Sequence, residues 1–430
     1  MNISYLKKIK STKYYMKYLD TFIKSAGSWM IAGGLFQAIS GFGANVVLAR
    51  NLEVQDFGFY AVVVSIIGLV TLLVNSCAGI MAISSNEADF QGEYKSKLYS
   101  ILLVELLLIV CISSALFLIL NQMNFAIMLY ILGTIIVSWS DFQMKFIERQ
   151  NRFREVSIVE TSSELLSHFL ALIVLLLGFG ALALFIRLFF KGTIKVGFQF
   201  FYIKMPLIRI VKFDRLWLKT YFHNVKHFYS SGMLESGIDR IIILFLGAFS
   251  GVKETGFFFQ ARRLAIVPHQ ILQPYFYRIL FNTFSRDVSY KSAFRELNRN
   301  MVVLLILLSL ALVLTFTIGH DVIVFTFGSK WAPVTEIIYC LSGIIAASVP
   351  FELLKAFYQA KTVNMVKFLY FGRGAQYFCL ILSIIVSLII GSHYVLILSV
   401  GISSGYAVGS MLLYYILYRL FKDTPDSRIA

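Results

Sequence analysis

Apolar runs of about twenty residues, separated by short polar connectors, follow one another along the whole chain. Twelve can be drawn, at about 27–49, 58–83, 98–120, 125–146, 157–177, 181–202, 228–249, 255–282, 300–319, 331–355, 366–391 and 394–420. A helix rises about 1.5 Å per residue, so roughly twenty residues cross the ~30 Å hydrocarbon core of a bilayer. Only helices and closed barrels satisfy their own backbone hydrogen bonds in lipid, and runs this long belong to helices. The pattern predicts an all-α polytopic membrane protein of about 12 transmembrane helices.

Composition agrees. Hydrophobic residues make up 58% of the 430 residues and charged ones only 14%, and the mean hydropathy is +0.76, which excludes a sizeable soluble domain. The net charge of +16 falls in the connectors, so it reads as topology signals and contacts with anionic membrane lipids, with no nucleic-acid partner. Connectors on the side of the N-terminus hold about 27 Lys and Arg, against Arg50, Lys253 and Lys330 opposite. That bias puts both termini in the cytoplasm. The expected organisation is a basic cytoplasmic segment (1–24), a six-helix half (25–203), a basic connector (204–226), a second six-helix half (227–421) and a tail (422–430). The lysine-rich start leads straight into a full-length span, without the pattern of a cleavable signal. Cys77, Cys111, Cys340 and Cys379 each sit in an apolar run and read as small hydrophobes.

The run 181–202 carries Arg187, Lys191 and Lys195, four residues apart. On a helix they share one face. A cation against lipid near mid-membrane costs at least ~2.5 kcal/mol, so the stripe must face something wet or anionic. The expectation is the basic wall of an internal cavity that receives a negatively charged substrate. In the alternative reading, one helix covers about 165–190 and Lys191 onward is cytoplasmic. That arrangement inverts everything downstream and puts the later basic connectors outside, so a turn at Gly178-Phe179-Gly180 is preferred. The chain also repeats weakly: Val54, Asp56 and Gly58 match Val252, Glu254 and Gly256 at one offset. Two parallel six-helix halves suit a transporter whose site lies between them.

Other charges fall within spans. Arg240, Arg262 and Arg263 join the stripe as candidate ligands of a phosphate-bearing substrate, because a guanidinium fork matches phosphate oxygens. Glu235 and Asp239, one turn apart, are candidates for binding a coupling cation or proton, with an ion pair to Arg240 or to the lysines of 181–202 as the structural alternative. Glu164 is a further coupling candidate. It forms a stripe with Glu160 and His168, for which contact with the basic connectors is preferred over a proton relay. Glu105, isolated on its span, reads as a protonated carboxyl packed by a hydrogen bond, and Glu352 and Lys355 as a local ion pair. His223 and His227 lack a third metal ligand. No nucleotide-binding loop and no hydrolase or metalloprotease motif occurs, so the chain reads as a non-enzyme without cofactor, driven by a proton or sodium gradient.

The run Leu48-Ala49-Arg50-Asn51-Leu52-Glu53-Val54-Gln55-Asp56-Phe57-Gly58-Phe59-Tyr60 follows a Gly/Ser-rich first span. It resembles the oligosaccharide flippases: the Wzx-type polysaccharide biosynthesis family of the multidrug/oligosaccharidyl-lipid/polysaccharide exporter superfamily. Asp239-Arg240 through Gly247 to Gly256-Phe257-Phe258 is a similar second-half counterpart. Val54 replaces the proline usual in the motif. The resemblance implies export of undecaprenyl-diphosphate-linked oligosaccharide repeat units, of O-antigen or capsular or exopolysaccharide type, across the cytoplasmic membrane by ion-coupled alternating access. It also implies a polysaccharide polymerase and chain-length proteins as partners. The alternatives are a lipid II or drug/cation exporter of the same superfamily, or a membrane polysaccharide polymerase or ligase.

Overall fold

The structure, a computed structural model, describes residues 26–84, 93–150, 152–204, 211, 214–270, 280, 284, 290–360 and 368–423. The described elements are helical: α1 (Ala26–Asn51), α2 (Val54–Val74), α3 (Ala78–Ser84), α4 (Glu93–Ile119), α5 (Phe125–Arg149), α6 (Phe153–Val174), α7 (Leu182–Phe198), α8 (Arg215–Phe249), α9 (Val252–Ala265), α10 (Tyr290–Phe327), α11 (Val334–Cys340), α12 (Ser342–Ala360), α13 (Gly374–Ile390) and α14 (Tyr394–Asp423). Among the described residues eight helices are long and apolar enough to cross a membrane, or nine if a bent pair counts as one span. The described residues do not by themselves confirm the expected count of twelve. The helix that bears the basic stripe is not one of the eight, and parts of the expected eighth and eleventh spans lie outside the described residues.

Chain contacts divide the molecule into two units, Met1–Asn45 with Asn75–Val225, and Val46–Val74 with Lys226–Ala430. Residues 46–74, which the sequence reading puts in the first half, group with the second unit because α2 packs along α9.

Within the first unit, small residues let helices approach closely. A Cβ on Gly133 of α5 would stand 2.6 Å from the Phe189 nitrogen of α7, and one on Gly192 of α7 would stand 2.9 Å from the Ile136 side chain. This crossing lays α7 along α5. The helix pair α6 and α7 folds back at Gly178 (φ 87°) and Gly180 (φ 53°), left-handed positions that glycine adopts at no steric cost. The expected turn is thus present, and the continuous 165–190 helix is not. Glu105 is packed by hydrogen bonds, as expected: it accepts from the Ser76 backbone N–H (2.9 Å) and hydroxyl (2.5 Å) at the break between α2 and α3.

Within the second unit, the two copies of the repeated motif lie against each other. A Cβ on Gly58 would run into the Val252 carbonyl, and one on Gly256 into the Val54 carbonyl. Each would also stand 3.0 Å from the other glycine's amide nitrogen. The contact is thus reciprocal, as in a local two-fold. Trp331, fully buried, stands edge-on to Phe57 (5.2 Å) and Phe257 (6.1 Å) beside this crossing, and its indole N–H donates to the Ala49 carbonyl at 2.9 Å.

Arg50 donates to the Phe325 carbonyl and to the Thr326 carbonyl (2.8 Å) at the end of α10, while Lys330 donates to the carbonyls of Arg50 (3.1 Å) and Leu52 (2.6 Å). Terminal helix carbonyls have no partner within their own helix. Two of the three basic residues that run against the charge bias are therefore occupied as helix caps.

Three boundaries differ from the expectation. The connector residues from Tyr290 and the ninth span form one helix of 38 residues, which continues through His320 to Gly328. At about 1.5 Å per residue it is close to twice the hydrocarbon thickness, so it extends well beyond the membrane core. Likewise Arg215–Phe249 is a single helix of 35 residues, so the connector's second part continues the seventh span. The expected tenth span is broken at Leu341, where α11 and α12 meet within a bend of 53°. The Ser403 hydroxyl of α14 donates to the Cys340 carbonyl at 2.7 Å across this break. Ser403→Ala keeps the Cβ that packs on Gly343 and removes only this bond. A loss of about 0.6 kcal/mol, up to ~1.7, is expected from hydrogen bonds between membrane helices, read as a small drop in melting temperature in detergent.

Candidate functional site

The stripe on α7 is met by a matching stripe on α6. The Glu164 carboxylate lies 2.6 Å from Lys191 Nζ, 3.2 Å from Arg187 Nη1 and 3.3 Å from His168 Nε2. Arg187 Nη1 is also 3.3 Å from His168 Nε2. One turn along, Lys195 pairs with Asp141 of α5 and lies 3.6 Å from Glu160 of α6. The side chain of Lys195 is only 2% exposed.

A hairpin explains the register. In antiparallel helices joined by a tight turn, residues equally far from the turn face each other. His168 with Arg187, Glu164 with Lys191, and Glu160 with Lys195 each lie at equal chain distances from the turn at Gly178, to within one residue. Both stripes repeat every four residues, so all three levels meet at once.

This corrects the expectation of a bare basic wall. Arg187, Lys191 and Lys195 do share a face, and that face is packed against α5 and α6 rather than left bare, but each cation is matched by a carboxylate. Glu160, Glu164 and His168 contact the stripe of α7 rather than the basic connectors. A carboxylate removed from water is stabilised only by such partners. Beside Lys191 and Lys195 opens a cavity of about 230 Å³, lined also by Gln37, Asp141, Lys145, Glu148 and Glu160. Gln37 donates to the Thr161 hydroxyl at 3.2 Å, and Lys145 pairs with Glu148 at 2.8 Å. Asp141, Gln37 and Glu148 escape the sequence reading, since Asp141 and Glu148 sit near a span end and look like connector charges. The signal available is Asp141 itself, an acid inside an apolar run.

The second unit holds the other candidates. Asp239 accepts from Arg262 Nη2 (2.9 Å) and Nε (3.1 Å), and the two are again equidistant from a turn, at Ser250-Gly251. Arg262 also stands 5.8 Å over the Tyr406 ring. Glu235 accepts from Lys355 (2.6 Å) and Arg373 (3.1 Å). Glu352 joins them at 3.6 Å from Lys355, the local pair expected, and 3.7 Å from Arg373. The structural alternative of a pair between these acids and Arg240 or the α7 lysines is not what the second unit contains. Arg240 instead donates to the Val64 carbonyl at 3.3 Å, and its guanidinium fills the space where a Cβ on Gly68 would stand. Arg263 is half-buried next to Arg262. The structure thus gathers Arg187, Lys191 and Glu164 into one network, with Lys195 one turn along on Asp141 and Glu160, and Asp239 and Arg262 into another. Glu235 belongs to a third.

Residues 47–336 match the family described as "Polysaccharide biosynthesis protein". The chain belongs to this family. The succinoglycan biosynthesis transport protein ExoT of Rhizobium meliloti (strain 1021) is 22% identical over 317 residues, which cover 70% of this chain. The chain spans 62% of the length of that relative in the match. Among solved structures, lipid II flippase MurJ in an inward closed conformation superposes with a TM-score of 0.68 at 13% identity, covering 92% of this chain and 93% of MurJ. An inward-facing multidrug resistance MATE family transporter of the MOP superfamily gives 0.60 at 13% identity, covering 94% and 100%. The Vibrio cholerae MATE transporter VcmN in the bent form gives 0.53 at 12% identity, covering 92% and 96%. At such identities the likeness is one of fold. This polysaccharide biosynthesis protein shares the multi-span helical fold of these structures. The motif around Arg50 is structural here: Leu48 and Ala49 are buried and Arg50 caps α10.

Proposed function

We infer that this protein translocates a lipid-linked saccharide precursor of a polysaccharide across the bacterial cytoplasmic membrane, with both termini in the cytoplasm. The observation that carries this reading is the charged hairpin of α6 and α7. Four cationic or carboxylate side chains, Arg187, Lys191, Lys195 and Glu164, are held on facing helices beside a polar cavity. Membranes tolerate such groups chiefly where they serve a pathway. The family match and the similarity to a succinoglycan transport protein support this class of cargo. The lipid is undecaprenyl diphosphate. In the first unit Arg187 is the candidate fork for its diphosphate, and the second unit holds its own candidates in Arg240, Arg262 and Arg263. Glu235, Asp239 and Glu164 respond to a proton or sodium gradient that drives the cycle. The protein acts without a catalytic step and hands its cargo to the polymerase and chain-length proteins.

The test is reconstitution. Proteoliposomes are loaded with lipid-linked glycan extracted from a host strain that lacks this transporter. Wild-type protein is expected to move the glycan to the other leaflet, and collapse of the ion gradient with an ionophore to slow that movement at least tenfold. Movement equal to that in protein-free liposomes would contradict the reading.

A further inference from the structure

The cavity of the first unit is not suited to an anion. Its carboxylates are Asp141, Glu148 and Glu160, and its ammonium groups are Lys145, Lys191 and Lys195. Three charges of each sign leave it formally neutral. Each lysine is already matched: Lys145 by Glu148 at 2.8 Å, Lys191 by Glu164 at 2.6 Å, and Lys195 by Asp141 and Glu160. A diphosphate entering here meets the carboxylates as well as the lysines, and gains its contacts only by parting pairs that are costly to break where water is scarce.

A hydroxyl behaves differently. It donates one hydrogen bond and accepts others, so it can stand between a carboxylate and an ammonium without changing the charge of either. The Gln37 amide offers the same pairing of donor and acceptor. Size points the same way. At about 30 Å³ per water, 230 Å³ corresponds to roughly eight waters. Drug-sized ligands occupy ~300–1,000 Å³, so this space takes a single ring and not a whole repeat unit.

We propose that the cavity bounded by Gln37, Asp141, Glu148, Glu160, Lys145 and Lys195 is a subsite for one uncharged pyranose of the lipid-linked glycan, separate from the diphosphate contacts. The proposal rests on the transport reading above and assigns the sugar's place within it. Gln37, Asp141 and Glu160 are then residues that set which cargo is accepted, by contact with hydroxyls.

The experiment uses full-length protein in lipid nanodiscs and two probes: lipid-linked glycan extracted from a strain lacking the transporter, and sugar-free undecaprenyl diphosphate. Inorganic pyrophosphate serves as competitor. Wild type is expected to hold the glycan lipid at least tenfold more tightly than the sugar-free lipid, with excess pyrophosphate weakening both alike and leaving that ratio unchanged. Gln37→Met, neutral and without effect on any ion pair, should erase most of that preference while leaving affinity for the sugar-free lipid intact. Asp141→Asn, which removes one partner of Lys195, should let pyrophosphate enter the cavity and narrow that ratio. Equal affinity of wild type for both lipids, or a preference that pyrophosphate abolishes, would overturn the subsite and leave the transport reading standing. Absence of binding by either lipid would remove both.

Discussion

Replacing Glu164 with glutamine is expected to destabilise the folded protein by about 3–5 kcal/mol, the usual result of removing one partner from a buried ion pair. Glu164 serves Arg187, Lys191 and His168 together, and its side chain is 13% exposed. Its loss leaves two cations without their shared carboxylate between α6 and α7. The measurement is a thermal melt in detergent, where a drop of several degrees is the expected sign. The change should also be strongly non-additive. Adding Lys191→Met and Arg187→Met to Glu164→Gln removes the orphaned charges, so much of the lost stability should return. Equal melting of wild type and Glu164→Gln would show that the network contributes little.

The second large effect is at the motif crossing. Gly58→Val should cost more than the ~1–3 kcal/mol typical of an overpacked site, because the new side chain meets the backbone carbonyl of Val252 and not a movable side chain. The reciprocal change, Gly256→Val, meets the Val54 carbonyl and should behave alike. Either variant should leave little folded protein in the membrane fraction, with Gly58→Ala intermediate. Recovery of Gly58→Val at the wild-type level, with an unchanged melt, would show that the α2 and α9 backbones do not approach as described. The repeated motif is thereby explained physically. Each copy supplies a glycine that its counterpart needs, and Phe57 and Phe257 close on Trp331 beside them.

Much of the first unit's site was legible in the sequence. Two four-residue stripes of opposite charge, with Gly178 and Gly180 midway between them, already specify the pairs. Counting outward from the turn gives Glu164 with Lys191 and Glu160 with Lys195. What the linear pattern hides is compensation. A stripe of cations reads as a bare surface until the antiparallel partner is laid beside it. Asp239 and Arg262 follow the same rule about Gly251, so an acid and a base equidistant from a glycine turn are a usable signal for a membrane hairpin.

Other features depended on distant chain. The break at Leu341 carries no proline or glycine at that position, and the serine that bonds the freed carbonyl of Cys340 lies on α14. The length of α10 escaped because His320 and Asp321 look like a turn, whereas Gly328 and the caps from Arg50 set the actual end. Asp141 was hidden by its place near the end of an apolar run, although it is the partner that lets Lys195 be buried.

The account's central claim is that the charged hairpin exists for cargo and not for stability. Replacing Glu164 with Leu, Arg187 with Met and Lys191 with Met in one protein tests it most directly, since apolar replacements of a whole buried ion network are often neutral or stabilising. In proteoliposomes carrying host lipid-linked glycan, the triple variant should melt at or above the wild-type temperature yet move the glycan at least tenfold more slowly. Translocation at the wild-type rate by that well-folded variant would contradict the claim.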